Sequence, residues 1–284
     1  MQMKILNKMP IFNSAYLISS YLLLTVFITA DVVADEKVSY TFARAPQLTT
    51  KALFKQWNPL VERLSKELDI NIQLKLYKNR KSFLNDVNNG RVDFVYMNPY
   101  YTLKAHESNG YRPIIRDNNK KLYGILVAHK DSAIKSLEDL QGKVIAFPSP
   151  NALAASLYMR SLLETQHHIS FTPHYVGSHD NVYLNVLLNK VSAGGGVMRT
   201  FNKSKNKNNL RIIYKTPALM PHPISVHPRV PEMIVEKLMK SILIMNKDED
   251  GKKILKSIGL QHPTKADFKR DYNSLKQLEL EKHG

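Results

Sequence analysis

Short β-branched or aromatic runs alternate with helical patterns along most of the 284-residue chain, and this alternation constrains the fold more than any other feature. Parallel strands need a crossover of a dozen or more residues, usually a helix, so the pattern predicts an α/β protein with a mostly parallel sheet. Val38 to Ala43 reads as the first strand. Leu53, Phe54, Trp57, Leu60, Val61 and Leu64 then recur at three and four, the spacing of a helix that Thr49 or Thr50 can cap. Pro59 falls inside that pattern and predicts a kink or restart near Asn58. Asn71 to Tyr77 and Val92 to Met97 read as strands, with a helix over Arg80 to Asn88 between them.

The middle of the chain repeats the scheme. Strands are expected at Leu122 to Ala128, Lys143 to Phe147 and Phe171 to Val176, and helices at Asn151 to Glu164 and Asn181 to Leu188. Ser136 with Asp139 reads as a capping-box-like start of a short helix. Gly194 to Gly196 ends another strand and reads most simply as a bulge. Strand candidates at Arg211 to Tyr214 and Ile224 to His227 precede three helices, Pro231 to Met245, Asp250 to Ile258 and Lys265 to Leu280. There is no low-complexity linker and no internal repeat.

The first 34 residues have the character of an export signal. Lys4 and Lys8 give a basic start, Ala15 to Ala30 is apolar and uncharged, and Val32, Val33 and Ala34 are small residues ahead of Asp35. The apolar stretch is short of the ~20 residues of a membrane span, so cleavage is expected, with an uncleaved anchor as the alternative. The expected location is the periplasm. No later window has the character of a membrane span.

Composition then excludes several function classes. The chain has no cysteine, which removes disulfides, thiolate metal sites and cysteine nucleophiles. Lys and Arg number 41 against 24 Asp and Glu, a formal charge of +17. The lysines are spread along the chain, and the densest run, Lys203, Lys205 and Lys207, sits among asparagines as a solvated loop. No basic motif with interleaved aromatics is present, so the field suits anionic small ligands or a membrane surface better than nucleic acid. No metal site is expected: His222 and His227 are five apart and His167 and His168 adjacent, neither a chelating spacing. Nucleophile-elbow, zincin and phosphate-loop motifs are absent, so no catalytic residue and no cofactor is assigned.

An ordered series of motifs carries a resemblance. Ala45-Pro46 follows the first strand, Trp57-Asn58-Pro59-Leu60 lies in the first helix, and Val92-Asp93-Phe94 leads to Asn98-Pro99-Tyr100-Tyr101. Asp131-Ser132, then Asp139-Leu140-Gln141-Gly142-Lys143 with Val144 to Phe147, and finally Gly177-Ser178-His179-Asp180 complete it. The chain resembles the periplasmic phosphate/phosphite/phosphonate-binding proteins, two-lobed solute receptors for ABC transporters. The resemblance implies a type II periplasmic-binding fold. One lobe would comprise residues 35–125 plus 218–284 and the other 126–217, with a hinge of two crossings near Ile125 to Val127 and Thr216 to Leu219. It implies a small, anionic, phosphate- or phosphonate-like ligand.

Candidate ligand-binding residues follow from strand-end positions and from that family pattern. They are Gln47 after the first strand, Tyr96, Asn98, Tyr100 and Tyr101 at the end of the third, Asn151 and Ala152 after the Lys143 strand, His179 and Asp180, and Arg199 after the glycines. Capping by Ser178 or Asp180 competes for the His179 segment, and capping by Asn151 for its own. One departure stands out. Where the family offers a Ser-Thr-Ser-like run for phosphoryl oxygens, this chain has Ala152, Leu153 and Ala154. Two functional classes therefore stay open: a receptor partnering an ABC permease, and a periplasmic sensing or docking module for a membrane sensor kinase or cyclase.

Overall fold

The computed structural model describes residues 38–278 and 280–283. The stretch read as an export signal lies outside them. The described residues form one compact unit containing two sheets.

The first sheet holds six strands in the order β11-β4-β10-β3-β1-β2. These are β1 (Ser39–Arg44), β2 (Asn71–Leu76), β3 (Phe94–Tyr96), β4 (Arg112–Asp117), β10 (Ile224–Val226) and β11 (Pro263–Lys265). The second sheet has the order β7-β6-β8-β5-β9, from β5 (Gly124–His129), β6 (Lys143–Phe147), β7 (Phe171–Tyr175), β8 (Ala193–Val197) and β9 (Leu210–Lys215). In the first sheet β1 pairs parallel with β2 and β3, and in the second β6 pairs parallel with β7 and β8. The remaining pairs are antiparallel, because β10 and β11 return to the first sheet from late in the chain and β5 enters the second beside β8 and β9. The mostly parallel sheet expected from the alternation is thus two mixed sheets, since a returning strand leaves no local signature.

The chain leaves the first sheet after Asp117 and comes back after Lys215. The two crossing segments are tied to each other: Leu122 and Leu219 exchange backbone hydrogen bonds at 2.9 Å, and the Gly124 N–H donates to Thr216 Oγ1 at 3.0 Å.

Local chemistry accounts for most elements. In α1 (Thr50–Leu68), Thr49 Oγ1 accepts the Ala52 N–H, and Leu53, Trp57, Leu60, Val61 and Leu64 are the buried stripe. Pro59 is accommodated inside a single helix, so the expected restart does not occur. Helix α2 (Arg80–Asn88) starts at Asn79, which accepts the Ser82 N–H. The 3-10 turn Glu138–Leu140 is held by Asp139 Oδ2, which accepts from the Lys135 and Ser136 N–H groups. Asp93 staples β1 to the turn before β3: its carboxylate takes the Thr41 N–H and hydroxyl at 2.8 Å and pairs with Arg229 at 2.7 Å.

Two stretches differ from expectation. The helix from Asn151 is a π-helical turn, Leu153–Leu157, followed by α4 (Tyr158–Thr165). Helices α7 (Glu232–Ile244) and α8 (Glu249–Ile258) form as expected, but the third C-terminal helix does not. Its place is taken by β11, the four-residue α9 (Phe268–Asp271) and 3-10 turns over Asn273–Leu278 and Leu280–His283. Asp267 N-caps α9, and Asp271 lies 3.0 Å from the buried Arg116 Nε, drawing the tail onto the first sheet. Ser161 of α4 donates to the Leu278 carbonyl at 2.8 Å, so the same tail also touches the second half.

Apolar packing follows this layout. One core lies under β1, β3, β4 and β10 against α1, α7 and α8, and two others flank the second sheet. A fourth cluster joins the halves: Leu153, Leu157, Tyr158 and Leu162 pack with Tyr100, Tyr101, Tyr272, Leu275 and Leu280.

Candidate functional site

The candidate residues sit just beyond the carboxyl ends of β1, β3, β6, β7 and β8, where ligands of open α/β sheets bind. The strand geometry places them there: β1 runs parallel to β3, and β6 to β7 and β8, so within each sheet these ends open on the same edge.

On the first-sheet side, Arg44 closes β1. Tyr40, Phe42 and Arg44 share one strand face by the two-residue alternation, and Arg44 is 6% exposed. Its Nη1 donates to the Ala45 carbonyl at 2.7 Å and Nη2 to Gln47 Oε1 at 2.8 Å. Its Nε is buried without a hydrogen-bond partner. The guanidinium stands 4.9 Å from the Tyr96 ring centre and 5.5 Å from that of Trp57, within cation–π range. Tyr96 in turn packs on Trp57 at 4.6 Å and stacks on His222 at 5.7 Å. Burial, and then the nearby Arg199 charge against a favourable contribution from Tyr96, brings the Arg44 pKa down to about 10. Burial pushes His222 down to about 3, with Arg44 and Arg199 adding to it, so its ring is neutral at pH 7.

On the second-sheet side, Ser178 rather than Asp180 caps α5 (His179–Leu187), its Oγ accepting the Asn181 N–H. This leaves His179 free of capping. Its Nδ1 is buried and unpartnered, and burial followed by the Arg199 charge lowers its pKa. Asp180 is exposed. Arg199 begins the short α6 (Met198–Lys203), is exposed, and makes no hydrogen bond among the described residues. Its charge is felt at Arg44, Tyr96 and His222 and also at His179, so it links the two sides.

The loop after β6 is built differently from the expected capped helix. Asn151 is no cap; its Oδ1 is buried and unpartnered. Ala152 begins the π-turn, its carbonyl accepting from the Ser156 and Leu157 N–H groups. Arg160 braces the loop by donating to the Pro150 carbonyl at 2.8 Å and to Ser156 Oγ at 3.2 Å. Of the three glycines of β8, Gly195 seats the π-turn, and Gly194 and Gly196 face α5 on the other side. A Cβ on Gly195 would stand 2.2 Å from the Ala155 carbonyl oxygen, one on Gly194 2.5 Å from Val182, and one on Gly196 2.4 Å from the Tyr183 hydroxyl. The glycines therefore serve close packing on both faces of a regular strand, and not a bulge.

Asn98 is occupied as the N-cap of α3 (Pro99–Asn109), accepting the Tyr101 N–H at 2.8 Å. Tyr101 beside it has a buried hydroxyl within reach of Arg80. Tyr100 lines a separate hollow of about 250 Å³ with Leu275, Leu280 and Glu281. A second hollow of about 310 Å³ lies by His129 and Lys190. Neither is lined by Arg44, Tyr96, His179 or Arg199. The structure thus brings Gln47 and Tyr96 to Arg44 and stacks His222 on Tyr96, leaves His179 on the second-sheet side with the Arg199 charge reaching both, and sets Tyr100 apart. Sequence reasoning missed Arg44 and weighed His222 only as a metal ligand. The available signal for Arg44 was a charge continuing the buried face of a strand. Among the described residues, no three His, Asp or Glu side chains converge on a metal-sized site.

Comparison with known proteins places this arrangement. Among solved structures, a binding-protein component of an ABC phosphonate transporter from Pseudomonas aeruginosa matches at TM-score 0.69 and 15% identity, covering 87% of each chain. A Xanthomonas citri protein with bound chloride matches at 0.75 and 16%, covering 87% of this chain and 99% of that one. PhnD1 from Prochlorococcus marinus, in complex with methylphosphonate, matches at 0.70 and 20%, covering 84% and 96%. At these identities the likeness is one of fold, and it is the periplasmic-binding fold expected from the motif order. A family model for the phosphonate periplasmic substrate-binding protein of ABC transporters matches residues 42–272, and the chain belongs to that family.

Proposed function

We propose that this chain is an exported solute receptor that closes two lobes on a small anionic ligand and presents it to an ABC permease. In this reading residues 1–34 are a cleaved signal, the mature protein works in the periplasm, and it is a receptor and not an enzyme. Each sheet with its helices is one lobe, and the hinge is the pair of crossing segments bridged at Leu122 and Leu219. Ligand contacts made to both lobes would favour the closed form over the open one, a shift of population set by the difference in affinity.

One observation carries the reading. Arg44, Asn151 and His179 each hold a buried polar atom with no partner among the described residues, and they stand at the ends of β1, β6 and β7, on both sheets, with Tyr101 following β3. A buried polar atom left unpaired costs about 1 to 3 kcal/mol, so three at strand ends mark groups reserved for something other than folding. Gln47, Tyr96, Asn98, Tyr100, Ala152, Asp180 and Arg199 complete the proposed lining, with Asn98 acting through the cap that sets Tyr101.

The test is thermal melting against phosphate, phosphite, phosphonates, other oxyanions, amino acids and quaternary amines. Methylphosphonate, found on the Prochlorococcus protein, is the first to try. Ligand at a hundred times its Kd stabilises by about 2.7 kcal/mol, a rise of a few degrees. Silence across the panel overturns the receptor reading in favour of a sensing or docking module.

A further inference from the structure

Arg44 is a buried cation without an anion. It is 94% withdrawn from solvent on the 6% exposure it retains, and among the described residues no carboxylate pairs with it. Its two terminal nitrogens bond only neutral oxygens, of Ala45 and Gln47, and Nε has none. Buried charges in folded proteins are ordinarily paired, since taking an ion out of water is costly. The surrounding groups relieve it only in part: the Trp57 and Tyr96 ring faces favour the cation, but His222 is a neutral ring against Tyr96 and Arg199 adds a second positive charge. The folded protein alone gains little from a guanidinium here. An aliphatic or amide side chain would fill the same volume without the desolvation.

We propose that Arg44 is the anion-recognising residue of this chain, its Nε–H taking an oxygen of an oxyanionic ligand. The inference rests on the receptor reading and deepens it. Recognition shifts from the loop after β6, where Ala152, Leu153 and Ala154 carry no hydroxyl, to the end of β1 in the other half of the molecule. Leu153 and Ala154 are themselves buried in packing, so that loop offers no side-chain donor at those positions. Two guanidiniums beside neutral rings discriminate against cationic ligands. The aromatic faces of Tyr96 and Trp57 leave room for specificity toward the ligand's organic part, while the shared requirement is a phosphonate, phosphate, sulfonate or carboxylate oxygen.

Trp57 is the chain's only tryptophan and lies against the Arg44 guanidinium, so its fluorescence reports on this spot. The purified protein is titrated with methylphosphonate, inorganic phosphate, sulfate and acetate, each against sodium chloride at equal ionic strength. The four arms separate phosphorus, sulfur and carboxylate oxyanions. At least one is expected to change Trp57 emission saturably. Arg44→Gln should weaken that same anion about ten- to a hundred-fold, the worth of a charge-assisted hydrogen bond, and Arg44→Lys should retain part of the affinity. Without ligand, Arg44→Gln should melt at or above the wild-type temperature, which a merely structural arginine would not allow. Equal titration of wild type and Arg44→Gln overturns the proposal, as does loss of several degrees in both variants. A wild type that answers only to neutral or cationic members of the broader melting panel overturns it while leaving the receptor reading intact.

Discussion

Single atoms decide how Tyr101 and His179 behave on substitution. The His179 Nδ1 is buried with no partner among the described residues, so removing it relieves a cost of folding, whereas the Tyr101 hydroxyl lies within reach of Arg80. Tyr101→Phe is expected to cost no more than about 1 kcal/mol of stability, while the ligand-induced shift shrinks or disappears. His179→Ala should lose the shift as well, with the apo fold intact by circular dichroism. A variant of either kind that responds to ligand like wild type removes that residue from the site. His222 sets a pH dependence at the same scale. Its folded pKa of about 3 lies below its ordinary 6.5, so as pH falls past 6.5 the unfolded chain gains a proton that the folded chain refuses. Its effect is absent above that value and grows down to about 3. His179 and His227 are lowered in the same direction and steepen the trend. Asp271, which Arg270 and Arg116 hold at about 2 against the pull of burial, gives way only in more acid solution. Melting temperature should therefore decline between pH 6.5 and 4.5, and His222→Phe should flatten that decline. An unchanged slope would place the sensitivity elsewhere.

Two elements position the candidate residues through contacts that tolerate little change. Helix α3 begins where Asn98 accepts the Tyr101 N–H, so the cap and the direction of Tyr101 are one feature. Asn98→Ala should cost about 1 kcal/mol by denaturant unfolding and weaken ligand response more than that loss explains, because Tyr101 is no longer held. Strand β8 presents Gly195 to the π-turn with no room for a methyl group between the Ala155 carbonyl and the Phe147 ring. Gly195→Ala is expected to destabilise by about 1 to 3 kcal/mol, the usual range for overpacking, and to move the turn that carries Asn151 and Ala152. A neutral outcome would mean that the turn yields freely and is not held by β8.

At the scale of the whole molecule, the two sheets are joined by more than their crossing segments. Leu157 is fully buried in the cluster that brings α4 against α3 and the C-terminal turns, with the Ser161 to Leu278 hydrogen bond beside it. Leu157→Ala should cost about 2 to 5 kcal/mol and lower a single melting transition in calorimetry, since both halves share the apolar surface. Two separate transitions in the variant would show that the seam, and not the backbone crossings, couples the halves. The charge of +17 acts at this scale too. It raises the local concentration of any anion, an effect that salt screens over a distance of about 10 Å at 0.1 M.

What the sequence determined by itself is local. The three-and-four spacing of α1 with a cap at Thr49 or Thr50, the cap of α5 at Ser178 or Asp180, and the β-branched or aromatic runs of β1, β5 and β6 state their own conformations, because helix and strand periodicities are written in neighbouring residues, and the structure chose Thr49 and Ser178. The order of strand-end motifs was equally readable, and with it the periplasmic-binding fold and most of the residues now grouped at the strand ends. Tertiary structure decided what depends on distant partners. The insertion of β10 between β3 and β4, the short β11, and the tail that forms turns where its apolar pattern suggested a helix are settled by pairing and packing across more than a hundred residues. The glycines of β8 are explained only by the π-turn lying on Gly195 and by α5 lying on Gly194 and Gly196. Arg44 shows the division most sharply: its identity and its place on a buried strand face are in the sequence. That its charge has no counter-ion among the described residues follows only from which side chains the fold brings around it, since electrostatic pairing acts through space and not along the chain.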